Sequence, residues 1–97
     1  MTLLEFKQSA AGAKSPAGLS PALLALWHEA RGDWQAAHAI AQDIADPTGA
    51  WIHAYLHRKE GDLGNAAYWY RRAGKPDCRG GLDAEWERIV ESLIPDP

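Results

Sequence analysis

The feature that most constrains this chain is the run Glu60-Gly61-Asp62-Leu63, which stops one helical pattern and starts another within two residues. Gly61 can take the left-handed conformation that ends a helix, and Asp62 can accept hydrogen bonds from the free amides that open the next. Upstream, Ile52, Ala54 and Leu56 alternate with polar residues at three- and four-residue spacing. Downstream, Leu63, Ala66, Tyr70 and Ala73 fall on one helical stripe, and Gly74 with Pro76 is a stop signal. Residues 51–76 therefore read as two helices folded back on each other, with facing apolar stripes.

The same grammar occurs 29 residues earlier. Ala25, His28, Gly32, Asp33, Ala37 and Pro47 stand where Ala54, His57, Gly61, Asp62, Ala66 and Pro76 stand in the second copy. Leu23 and Trp34 match Ile52 and Leu63 in character. A fixed period shared by the turn and its packing partners predicts stacked helical hairpins, with one unit over 19–47 and another over 48–76. In the first unit Ser20-Pro21 supplies a cap and a proline at the first helical position. Residues 22–27 are apolar all round, as in a helix buried on more than one side. Its second helix puts Trp34, Ala37, Ile40, Ala41 and Ile44 on one stripe, leaves Gln35, His38 and Gln42 opposite, and is broken by Asp46-Pro47-Thr48-Gly49.

Closures are expected at both ends. Thr2 and Glu5 have capping-box spacing, so Leu3, Leu4 and Phe6 can dock a short N-terminal helix. Residues 10–18 are small and aperiodic and read as a mobile connector. After a glycine-bearing loop over 74–82, Asp83 is expected to cap a final helix over 83–94, with Leu82, Trp86, Ile89, Val90 and Leu93 at helical spacing and Pro95 ending it. A stack of hairpins leaves an apolar face open at each end, so the last helix is assigned as a lid, and the N-terminal helix or a second copy as the cover for the other end. The expected fold is all-α: one domain over 1–97, made of two tandem antiparallel helical hairpins, a C-terminal capping helix and a short N-terminal helix.

With Ala25, Gly32-Asp33-Trp34, Ala37 and Pro47, then Ala54, Gly61-Asp62-Leu63, Ala66 and Pro76, the chain resembles a tetratricopeptide repeat protein. It departs from that pattern in its shorter period and in placing His28, His53 and His57 where the family holds tyrosine or leucine. It also resembles a group of short bacterial proteins carrying AYLHRKEGDLGNAAYWYRRAG, a likeness that implies a bacterial source and names no activity. The tetratricopeptide resemblance implies an adaptor rather than an enzyme.

Composition narrows the classes further. One cysteine excludes an internal disulfide framework and suits a reducing compartment. The N-terminus lacks a basic segment followed by a long apolar run, and no run is long enough to cross a bilayer, so a cytoplasmic location is expected. A net charge of −3 argues against wholesale nucleic-acid binding, but residues 48–81 hold six bases (Arg58, Lys59, Arg71, Arg72, Lys75, Arg79) against three acids (Glu60, Asp62, Asp77). That local excess marks an electrostatic face on the second unit.

No phosphate-binding glycine loop, serine elbow or supported carboxylate pair is present, and Cys78 has Arg79 beside it but no histidine close in sequence. The leading expectation is a non-catalytic adaptor, without cofactor, that binds an acidic protein or peptide segment. Trp51, Tyr55 and Arg58 on the first helix of the second unit, with Asn65, Tyr68, Trp69, Arg71 and Arg72 on its second helix, would supply aromatic anchors and charge. Each of these rings can instead be core. The final helix, carrying Glu85, Glu87 and Glu91, competes for the same surface within its chain or exchanged across a homodimer. A second class is a metal or small-ligand site on His28, His53 and His57, because imidazoles four apart share a helix face; the alternative is histidines hydrogen-bonded within the core. A third is single-stranded nucleic acid stacked on Tyr68 and Trp69 over Arg71 and Arg72.

Overall fold

A computed structural model describes residues 1–94, and within them the chain is all-helical, with six helices and no strand. Each start follows from its local sequence. Helix α1 (Leu3–Ala10) begins with a complete capping box: the Glu5 amide donates to Thr2 Oγ1 at 3.1 Å and the Thr2 amide to Glu5 Oε1 at 2.8 Å. Helix α2 (Pro21–Ala30) is capped by Ser20, α3 (Trp34–Gln42) by Asp33, α4 (Pro47–Glu60) by Asp46 and α5 (Leu63–Ala73) by Asp62. Gly32 and Gly61 take positive φ values of 83° and 89°, which lets the next amide turn back. The Asp33 amide accordingly donates to the His28 carbonyl at 3.0 Å, and the Asp62 amide to the His57 carbonyl at 2.9 Å.

Several expectations need correction. Pro47 does not close a unit; it is the first residue of α4, whereas Pro76 follows α5 and opens no helix. Asp83 does not cap α6 (Leu82–Leu93): the cap position is Gly81, with no side-chain bond, and Asp83 lies in the first turn, where its charge suits the helix dipole. Leu63, expected on the buried stripe, is 66% exposed, and Leu4 is exposed on α1. Pro95 lies outside the described residues. None of the helices is long and apolar enough to cross a membrane.

Helices α2 and α4 form the central layer. On one side α3 packs on both and α5 on α4; on the other, α1 and α6 pack on each other, with α6 lying across α2 and α4. Helix α6 therefore lies on the side of the central layer remote from α3 and leaves the outer face of α5 open. The main core joins Phe6 of α1, Leu26 of α2, Ile52 and Leu56 of α4, and Ile89 and Val90 of α6, all fully buried. Each such side chain contributes about 1.5–3 kcal/mol relative to exposure. Trp86 Nε1 donates to the Leu26 carbonyl at 3.2 Å, so the indole packs against α2 with its polar edge satisfied. A smaller cluster of Ala54, Ala66 and Tyr70 holds α5 to α4. Gly49 sits where α4 passes the end of α3: a Cβ built there would lie 2.8 Å from the Ile44 Cβ.

One polar knot pins α6. Glu85 is 1% exposed, and its carboxylate accepts from Tyr70 Oη at 2.6 Å and from the Arg58 guanidinium at 2.9 Å. Arg58 also donates to the Gly80 carbonyl, tying down the loop before α6. Removing one member of a buried ion pair costs more than the pair itself contributes, because the partner stays buried and uncompensated. Glu85→Ala is therefore expected to lower unfolding free energy by about 3–5 kcal/mol in urea titrations. Tyr70→Phe, which strands only one carboxylate oxygen, should cost about 1–3 kcal/mol. A loss under about 1 kcal/mol for Glu85→Ala would show the knot to be water-accessible. Gly49→Ala is expected to cost about 1–3 kcal/mol through overpacking against Ile44.

Candidate functional site

Three helices converge on a strip of rings. His53 and His57, four apart, share one face of α4. Helix α3 runs beside that face and contributes Trp34 and His38, again four apart; α5 contributes Trp69 from the other side. The three imidazoles form a triangle, with His38 centred 4.8 Å from His53 and 5.4 Å from His57, and His53 centred 5.9 Å from His57. Indoles stack on two of them: Trp34 on His38 at 4.9 Å and 11°, and Trp69 on His53 at 4.1 Å and 20°. Trp34 Nε1 donates to the Leu56 carbonyl at 2.9 Å, fixing that indole to α4.

The hydrogen bonding of the triangle is uneven. His57 Nδ1 lies 2.7 Å from Glu60 Oε1, so this nitrogen donates to the carboxylate. His53 is 5% exposed, and neither ring nitrogen has a hydrogen-bond partner among the described residues. Leaving such a group unsatisfied costs about 1–3 kcal/mol. Burial, reinforced by repulsion from His38 and His57, pushes the His53 imidazole down to about 4, so the ring is neutral near pH 7. His38 is lowered too, by burial and then by His57, with Glu60 opposing. One nitrogen from each of the three rings lies within 4.8 Å of the others, so these residues could hold a metal ion; His57, Glu60 and Asp62 form a second such group at the end of α4.

The structure redraws the expected histidine set. His28 is not part of the triangle: it packs edge-on against Trp27 at 5.1 Å, on α2. His38 is the third member, although its place opposite the Trp34–Ala37 stripe suggested solvent. Helix α3 touches α2 and α4 at once, so two of its faces are partly covered and the second holds His38. The signal available in the sequence was the Trp34/His38 pair at four-residue spacing, which matches the His53/His57 spacing.

The expected docking residues also separate. Tyr55 is 2% exposed and belongs to the main core, where burial, followed by the charges of Glu29, Asp83 and Glu85, pushes its hydroxyl well above the usual phenol range. Arg58 faces α6 and is neutralised by Glu85. Both are therefore withdrawn from the outer face. Trp51 is half-buried between the two apolar clusters, with the Lys75 ammonium 4.2 Å above its ring. On α5, Asn65, Arg71 and Arg72 are exposed, as is Tyr68 at 43%. The Arg72 guanidinium lies 5.7 Å from the Tyr68 ring and 5.2 Å from the Trp69 ring, and donates to Tyr68 Oη at 2.9 Å. None of Arg71, Arg72 and Lys75 is in an ion pair among the described residues.

An open cavity of about 380 Å³ between the end of α3, the start of α4 and α5 is lined by Gln42, Asp46, His53, Trp69 and Arg72, among others. It connects the basic face of α5 with the inner ring of His53. Cys78 lies elsewhere, with its sulfur 3.1 Å from an Arg88 nitrogen, and is not beside the imidazoles.

A buried ring with two unsatisfied nitrogens is a stability defect. Replacing it with an apolar side chain of similar size is therefore expected to be neutral or to raise unfolding free energy by about 1 kcal/mol. His53→Leu, measured by urea denaturation in the presence of a chelator, tests this; a loss above about 2 kcal/mol would mean that the nitrogens are bonded in the core. Compared with protein-family models, with curated proteins and with solved structures, the chain gives no match.

Proposed function

We propose that this chain is a non-catalytic, tetratricopeptide-like adaptor, two tandem helical hairpins closed by α1 and α6, that binds an acidic peptide segment on the outer face of α5. The observation that carries the reading is the uncompensated charge of that face. Helix α5 packs on α4 and reaches α6 through Tyr70, and its exposed side carries Arg71 and Arg72 beside Tyr68, with Lys75 just past its end and no carboxylate paired to any of them among the described residues. Elsewhere Arg58 and Lys59 are matched to Glu85 and Glu29, so the local excess of base in the second half is concentrated here. Rigid aromatic rings with guanidinium groups over them anchor a partner at low conformational cost, and unmatched cations select for acidic residues. The contact between Arg58 and Glu85 illustrates the preference within the chain itself.

The test is fluorescence anisotropy with a short labelled peptide of glutamate and leucine, against a control of lysine and leucine. The glutamate peptide is expected to bind, more weakly as salt rises. A Tyr68→Ala, Arg72→Ala variant should weaken binding by roughly 30-fold or more, as loss of a hot spot does. Equal binding by parent and variant, or equal affinity for both peptides, removes the proposal. Displacement by single-stranded oligonucleotide with a steeper salt dependence would instead reassign the face to nucleic acid.

A further inference from the structure

We propose that His38, His53 and His57 bind a divalent first-row transition metal ion, of the zinc and nickel class, between α3 and α4. Three independent features converge. Imidazole nitrogens from two helices come within 4.8 Å of one another. Metal–nitrogen bonds of about 2.0–2.1 Å put tetrahedral ligand atoms about 3.4 Å apart, so the rings close in on a bound ion from the spacing they hold without one. The most deeply buried ring, His53, has no hydrogen-bond partner for either nitrogen among the described residues, and a coordinate bond supplies one. His57 is already held as a ligand is held in many metal sites: Nδ1 is on the Glu60 carboxylate at 2.7 Å, so its tautomer and orientation are set and Nε2 is left to bind.

The donor chemistry selects the ion. Three imidazole nitrogens with neither thiolate nor carboxylate in the triangle suit borderline cations and disfavour calcium and magnesium, which need oxygen ligands. Trp34 and Trp69, stacked on His38 and His53, restrict the rings, and the cavity bordered by His53 gives a route in from solvent. Three protein ligands leave a coordination position for water or a small anion. The proposal is independent of the peptide-binding reading of α5.

The experiment uses tag-free full-length chain stripped with chelator and titrated calorimetrically with zinc chloride alone, then with nickel chloride. One ion per chain is expected, with an upward shift in thermal midpoint. His38→Gln and His53→Gln should each abolish the saturable heat. Glu60→Gln should weaken binding by roughly 10- to 100-fold through the loss of the His57 anchor. His28→Gln, outside the triangle, should leave it unchanged. Absence of zinc and nickel binding in the parent overturns the proposal, as does equal binding in the His38 variant, or loss in the His28 variant when circular dichroism shows it folded. If His53→Gln does not fold, the parent titration and the half-buried, more tolerant His38 position decide the matter.

Discussion

Helix α4 is enclosed by α2, α3, α5 and α6, and that enclosure organises the rest of the molecule. A helix covered on every side would ordinarily be apolar on every side. This one buries His53, Tyr55 and His57 along with Ile52, Ala54 and Leu56. Each buried polar group must then be answered by a neighbour, and the answers determine which side chains surround it. His57 is met by Glu60, the Leu56 carbonyl by the Trp34 indole, and Arg58 at the rim by Glu85. His53 has no such answer, and the site grows around that exception.

Much of the architecture was legible because it rests on local chemistry. The caps at Thr2, Ser20, Asp33 and Asp62 and the positive φ of Gly32 and Gly61 follow from side-chain reach and the absence of a Cβ, which a sequence displays directly. What escaped depended on which element lies beside which. Tyr55 and Trp51 share a helical stripe, yet one is core and the other only half-covered. His38 was assigned outward because one apolar stripe was taken as the whole buried surface of α3; a helix wedged between α2 and α4 has two. His28 matches His57 in the 29-residue register, and their carbonyls do accept equivalent turn bonds, but the two rings meet different neighbours. Backbone equivalence does not carry side-chain equivalence with it.

The charge pattern was read correctly as a regional excess and incompletely as a surface. Part of the excess base in residues 48–81 is neutralised within the fold, by Glu85 on Arg58 and by Glu29, 3% exposed, on Lys59. Such buried carboxylates contribute specificity of docking: α6 has one position in which Glu85 meets both Tyr70 and Arg58. Of the remaining cations, Arg71 and Arg72 lie on the exposed side of α5 and Lys75 just past its end. A single stretch of sequence thus serves both internal assembly and the outer surface, and only burial distinguishes the two uses.

The face-to-face contacts of Trp34 with His38 and of Trp69 with His53 have a spectroscopic consequence. An excited indole passes an electron readily to a cationic imidazole and poorly to a neutral one, so the emission of these two residues depends on the electronic state of the ring each one covers. The chain thereby carries an intrinsic optical reporter at the histidine triangle, whereas Trp86, docked against the Leu26 carbonyl, belongs to the main core.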